Sequence, residues 1–269
     1  MSERDEYPAG VPCWVDTLQP DVTAALTFYG ELFGWSFAGP GPLPGGLPGQ
    51  YFVAQLGGRD VGGIGTLPGG SEGQAIASWN TYVRVRSVDE TVAQVGEAGG
   101  TVLLGPFDAA PAGRGAVLAD PAGAPICLWE PAERVGAGRV NEPGAWIMSS
   151  LHTPDTEGAT PFYSALFDWQ AESHGPVTLW RRPGYVGGEE QQPTPRDMVA
   201  VMSAIPEGAP IPPHWNVNFL VADTDAIAAT ARELGATVLI EPMNTETGFR
   251  SAAFADPQGA VFSVSAVPT

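Results

Sequence analysis

The chain has 269 residues, 43% of them hydrophobic and 16% charged, which allows a sizeable core and argues against wholesale disorder. Thirty acidic against 12 basic side chains give a formal charge of −18, so the surface repels polyanions and a nucleic-acid role is excluded. Every basic residue is Arg; without Lys there is no Schiff-base lysine, no pyridoxal phosphate attachment and no Walker-type phosphate loop.

In chain order, MSERDEYPAG carries no basic or apolar leader region, and no apolar run approaches the ~18 residues of a membrane span. Two cysteines, Cys13 and Cys127, make neither a disulfide framework nor a zinc cage, so the expectation is a cytoplasmic chain with reduced thiols and no membrane partner. An apolar strand over Pro12 to Leu18 meets Pro20-Asp21, a helix start, and Leu26, Tyr29 and Phe33 follow at helical spacing. Gly39 to Gly49 (GPGPLPGGLPG) reads as a long loop without regular structure. Strands are expected at Tyr51 to Leu56 and Asp60 to Leu67. A second unit then follows: a strand at Asn80 to Val85, a helix from Val88 to about Ala98, and strands in TVLLG, GAVLA and APICLWE.

The order then repeats. Pro20-Asp21, Phe28-Tyr29, Leu32-Phe33 and Trp35 recur at Pro154-Asp155, Phe162-Tyr163, Leu166-Phe167 and Trp169. WNTYVRVRSVDE at Trp79 is echoed by WNVNFLVADTDA at Trp215, ADPAG (Ala119 to Gly123) by ADPQG (Ala255 to Gly259), and Arg114 by Arg250. The chain therefore reads as two copies of one domain, residues 8–131 and 144–267, joined by a Gly- and Pro-rich linker over 132–143. The fold class is α+β, with two strand-helix-strand-strand-strand modules in each copy.

FYxxLFGW after a Pro-Asp helix start, followed by WN and ADPxG, resembles the vicinal oxygen chelate superfamily of glyoxalases, extradiol dioxygenases and bleomycin-resistance proteins. The tandem arrangement is similar to actinobacterial glyoxalase-like proteins often labelled "hydroxylase" or "antigen". The resemblance implies paired βαβββ modules curling around a pocket, and in catalytic members a divalent metal held by His and Glu. Carried onto this chain, the metal-ligand positions fall on Trp14, Asn80, Cys127 and near Ile64 in the first copy. In the second they fall on Met148, Asn216, Ser263 and near Met202. These residues supply too few His, carboxylate or thiolate donors, so no metal and no cofactor is expected.

Alternate residues of the strands then define a candidate binding surface. It comprises Trp14, Asp16, Asn80, Tyr82, Cys127 and Trp129 in the first copy, and Met148, Ser150, His152, Asn216, Asn218, Ser263 and Ser265 in the second. The first set suits a flat organic molecule: apolar walls and sparse polar anchors. Asp16 on an apolar strand must pair, titrate upward or touch a ligand; His152, on the same face as Met148, is expected to be poised near neutral pH if that face lines the pocket. These two are the acid–base candidates. Cys127 lacks a nearby base and reads as core. Arg114 with Asp120, and Arg250 with Asp256, read as structural pairs holding the ADPxG turns, with an anion clamp as the alternative.

Three functions fit the residues. The leading one is a metal-free protein that sequesters a small aromatic or polycyclic molecule. The others are a metal-independent lyase, isomerase or hydroxylase-associated enzyme of specialised metabolism, and a protein-interaction module. A metal-dependent glyoxalase or dioxygenase is the reading the residues argue against. The modules are expected to pair within one chain, as a monomer or a homodimer.

Overall fold

Asp21 starts the first helix by the mechanism its position suggests. The strand β1 (Pro12–Gln19) ends beside it, and its Oδ1 accepts from the Ala24 N–H at the head of α1 (Val22–Phe33). Gly34, at φ 71°, ends that helix in the left-handed region. The strands β2 (Ser36–Pro42), β3 (Gln50–Leu56) and β4 (Arg59–Thr66) return antiparallel, and β4 closes on β1 in parallel. The second module repeats the route through β5 (Ser78–Arg84), α2 (Val88–Gln94), β6 (Thr101–Ala109), β7 (Gly113–Ala119) and β8 (Pro125–Pro131). β1 and β5 pair antiparallel, fusing both modules into one sheet of order β2-β3-β4-β1-β5-β8-β7-β6. The structure, a computed structural model, describes residues 3–69, 77–187, 192–246 and 248–267.

The second half builds the same object. Its elements are β9 (Trp146–Thr153), α3 (Thr156–Phe167), β10 (Gln170–His174), β11 (Val177–Arg181), β12 (Met198–Ala204), β13 (His214–Leu220), α4 (Thr224–Glu233), β14 (Thr237–Asn244), β15 (Arg250–Ala255) and β16 (Val261–Ala266). Their order, β10-β11-β12-β9-β13-β16-β15-β14, matches the first sheet position for position. The fold is a tandem α+β repeat of two domains, each made of two paired βαβββ modules. Residues 132–145 carry the chain from one sheet to the other and pack as they go: the Ala137 N–H donates to the Cys13 carbonyl (2.8 Å), and Tyr7 donates to the Ala137 carbonyl (2.7 Å). Among the described residues no helix is long and apolar enough to cross a membrane.

Two expectations change. Gly39 to Pro42 belong to β2, with Gly41 and Pro42 in register with Tyr51 and Gln50, and Pro44–Gly46 form a single 3-10 turn. β2 is an edge strand, where proline's missing N–H leaves no ladder bond unmade. The Arg–Asp turn pairs are not formed either. Arg114 instead pairs with Asp89 (2.7 Å) and Asp108 (3.1 Å), and Arg250 with Asp225, because the pleat sends both side chains toward the first turn of a neighbouring helix.

Asp120 and Asp256 do something larger. Each folds its own turn by accepting backbone N–H groups, Ala122 and Ala124 for Asp120, Gln258 and Ala260 for Asp256. Each also receives a tyrosine from the other domain: Tyr29 donates to Asp256 (2.8 Å) and Tyr163 to Asp120 (3.0 Å). Trp79 and Trp215 donate to those tyrosine oxygens (3.0 and 2.9 Å), and Gln19 adds a second side-chain donor on Asp256 (2.8 Å). The rest of the FYxxLF signature docks alongside, with Phe33 4.9 Å from Phe219 and Phe28 6.3 Å from Phe262 between ring centroids. The outer faces of the two sheets meet there too, where Thr81 donates to Ser149 (2.7 Å) and Trp79 lies 5.1 Å from Phe219. One core therefore runs through both domains.

Candidate ligand-binding site

With Val15 and Thr17 turned into the shared core, β1 turns Trp14 and Asp16 to the opposite, inner face. The neighbouring strand sets Asn80 opposite Asp16 and Tyr82 opposite Trp14, and β8 adds Trp129 on the same side. Register shifts bend both edge strands, between Ala38 and Gly41 and between Leu104 and Phe107. The edges consequently meet: a Cβ built on Gly45 would lie 3.5 Å from Phe107. Beneath them is a cavity of about 530 Å³, walled by Trp14, Tyr51, Tyr82, Phe107, Trp129 and the Ala38 to Pro44 stretch, with Arg134 at its margin.

Asp16 is the recessed polar group of this cavity, only 2% exposed. Its Oδ1 accepts from Asn80 (2.9 Å), and its Oδ2 accepts from the hydroxyls of Tyr51 and Tyr82 (2.9 Å each). Trp14 donates in turn to the Tyr51 oxygen (3.0 Å). Burial pushes the Asp16 carboxyl above its ordinary range, and the three hydrogen bonds oppose that shift without cancelling it. Burial and the Asp16 charge push both tyrosines well above the ordinary phenol value, so they remain neutral donors.

Tyr51, Phe107 and Arg134 were not on the expected surface. Tyr51 reaches Asp16 by lying across β4, and a Cβ on Gly63 would fall 1.9 Å from its hydroxyl. The glycines of VGGIG are the sequence signal for that close approach. Of the expected residues, Cys127 sits behind Tyr82 in the register and is buried, and burial pushes its thiol far up, which leaves no thiolate for nucleophilic chemistry.

The second domain's inner face is different. Met148 borders a separate cleft of about 60 Å³ with Trp146, Tyr185, Met198 and Phe249. Asn216 donates to Ser263 and Asn218 to Ser265 (2.8 Å each). The Ser150 hydroxyl lies 3.2 Å from His152 Nε2. His152 and His214 face each other across β9 and β13 and stack, their ring centroids 4.9 Å apart. Asp16 and His152 thus lie on different sheets and do not form one acid–base pair. His174 ends the exposed edge strand β10.

Burial, with the neighbouring His214, pushes the His152 imidazole down to about 4. The unfolded chain takes up its proton near the ordinary pKa of about 6.5, the folded chain near 4, so stability is lost as pH falls from 6.5 toward 4. His152→Gln is expected to flatten that part of the stability–pH curve by up to about 3 kcal/mol. Urea unfolding at pH 7 and pH 4.5 measures it; equal slopes in both proteins would contradict the burial.

The positions that the resemblance assigns to metal ligands do not fit a divalent ion. Trp14, Asn80, Cys127 and Ile64 offer no anionic donor: the Cys127 thiol is protonated and Ile64 is fully buried. Asp16, beside them, already receives three donor hydrogens where a metal would need its lone pairs. Met148, Asn216, Ser263 and Met202 are no better, and among the described residues no three His, Cys, Asp or Glu side chains converge.

Comparison with known proteins agrees with this architecture. The glyoxalase-like domain family matches twice, over residues 14–129 and 146–265. The glyoxylase-named protein CFP32 of Mycobacterium tuberculosis is 37% identical, over 98% of this chain and 97% of its own. The anthracycline biosynthesis protein DnrV of Streptomyces peucetius is 32% identical, over 96% and 94%. A Mn(II)-bound glyoxalase from Novosphingobium aromaticivorans shares the fold at a TM-score of 0.63 and 16% identity, over 96% of this chain and 82% of its own. The 2,3-dioxygenase LapB from Pseudomonas sp. KL28 does so at 0.63 and 13%, over 96% and 93%. With both domains matched and full-length relatives above 30% identity, this chain belongs to the glyoxalase-like domain family, in its tandem two-domain form.

Proposed function

We propose that the chain is a metal-free binding protein for a small aromatic or polycyclic molecule, held in the first domain's cavity and acting in the cytoplasm. The observation that carries this is an aromatic-walled cavity of about 530 Å³ in which a buried carboxylate meets only neutral donors among the described residues. Trp14, Trp129 and Phe107 offer faces for a flat ring system, and Asp16 retains an acceptor site for one ligand hydroxyl. The name of the relative DnrV points to the same chemical class, since anthracyclines are polycyclic aromatics. A metal-independent enzyme is the second reading, favoured by one observation, the raised pKa of Asp16 inside the cavity.

Titration of Trp fluorescence with emodin, quercetin and genistein tests the proposal, with mass analysis of the recovered compound. Saturable quenching in the micromolar range with the compound unchanged is the expected result. A changed mass favours the enzyme, and no binding tighter than millimolar across the three defeats both readings.

A further inference from the structure

A second cavity of about 480 Å³ adjoins the aromatic one and shares Pro111, Ala112, Arg134 and Gly136 with it. It is built from parts far apart in sequence: the N-terminal segment at Arg4 and Asp5, the start of β4 at Arg59 and Asp60, and the stretch from Glu133 to Gly138. Its charged lining balances, three guanidiniums against three carboxylates, in a chain whose overall charge is −18. Two of the three guanidiniums are matched locally. Arg59 pairs with Glu3 (3.0 Å) and Asp5 (3.1 Å), and Arg134 Nε lies 3.4 Å from Asp60.

Arg134 is the partition between the two spaces. Its guanidinium lies 5.5 Å from the Trp14 ring centroid. Its side chain makes no hydrogen bond to the described residues, and the contact with Asp60 is through Nε, so both Nη nitrogens have donors to spare. A charged ligand group would compete with the ion pairs that Arg59 and Arg134 already make. A hydroxyl would not, because it donates to a carboxylate and accepts from a guanidinium at once.

We infer that the bound molecule is a flat aromatic body bearing a neutral, multiply hydroxylated extension of the sugar class. The body occupies the aromatic cavity and the extension passes Arg134 into the polar cleft. This rests on the aromatic-cavity reading above and adds the second half of the ligand.

The test compares emodin, quercetin and genistein with their O-glucosides by isothermal titration, using the full chain. The readout is the ratio of the two Kd values for each pair. The wild type is expected to bind the glucosides about tenfold more tightly. Arg134→Met, which keeps the stem over Trp14, is expected to bring the ratio near one. Gly138→Tyr is expected to do the same by filling the cleft. Gly138 borders the polar cleft but not the aromatic cavity, and a Cβ there meets Arg59 at an ordinary 3.7 Å. Aglycones that bind as well as their glucosides, or a ratio that survives both substitutions in folded protein, overturn this inference and leave the aromatic cavity standing. No binding by any member of the panel overturns both.

Discussion

Asp256→Ala is expected to destabilise the whole chain by about 3–5 kcal/mol, far more than its place in a short turn suggests. The carboxylate is buried and accepts from Tyr29, Gln19 and the N–H groups of Gln258 and Ala260, so its removal strands four donors between two domains. A stranded buried donor costs about 1–3 kcal/mol, and partial rearrangement keeps the total below the sum. Asp120→Ala is expected to act in the same direction through Tyr163. Arg250→Ala, which breaks an exposed pair with Asp225, is the control and should change little. Urea unfolding measures all three. Comparable small effects for Asp256→Ala and Arg250→Ala would contradict the reciprocal lock.

The second large effect concerns binding. Asp16→Ala is expected to weaken an aromatic hydroxyl ligand by roughly 10- to 100-fold, the worth of one hydrogen bond to a charged acceptor. The pH dependence separates this from a packing effect. Because burial raises the Asp16 pKa, the folded chain holds that proton more tightly than the unfolded chain does. Asp16's contribution to stability therefore falls as pH rises from the ordinary carboxylate value through the raised one. Ligand affinity moves the opposite way, rising as the carboxylate ionises. Asp16→Asn should flatten both slopes. Melting and titration series from pH 4 upward would read them, and unchanged slopes in Asp16→Asn would remove Asp16 from the site.

The repeat was legible because whole motifs recur in the second half of the chain, and the α+β class and the inner set on β1 and β5 because they follow from local periodicity. Trp14, Asp16, Asn80 and Tyr82 share a face once the strands are placed, and the strands are marked by their own residues. Tyr51 and Phe107 were not legible, since they reach the cavity only when bent edge strands bring distant modules together. Arg134 was hidden for the same reason, lying in a stretch that reads as a spacer. The recurrence of FY with ADPxG was visible, but its cause is a hydrogen bond between domains that no local spacing encodes. Arg114 and Arg250 show the converse error: spacing of six residues suggests a turn pair, while the pleat carries each guanidinium to another element.

The proposed binding site is metal-independent, aromatic and present once per chain, in the first domain. Isothermal titration with emodin, on protein dialysed against a chelator and then with Mn²⁺ restored, tests it most directly. One site per chain, with the same Kd in both conditions and lost in Asp16→Ala, is the predicted result. Two equivalent sites per chain, or binding that appears only with the metal, would contradict it.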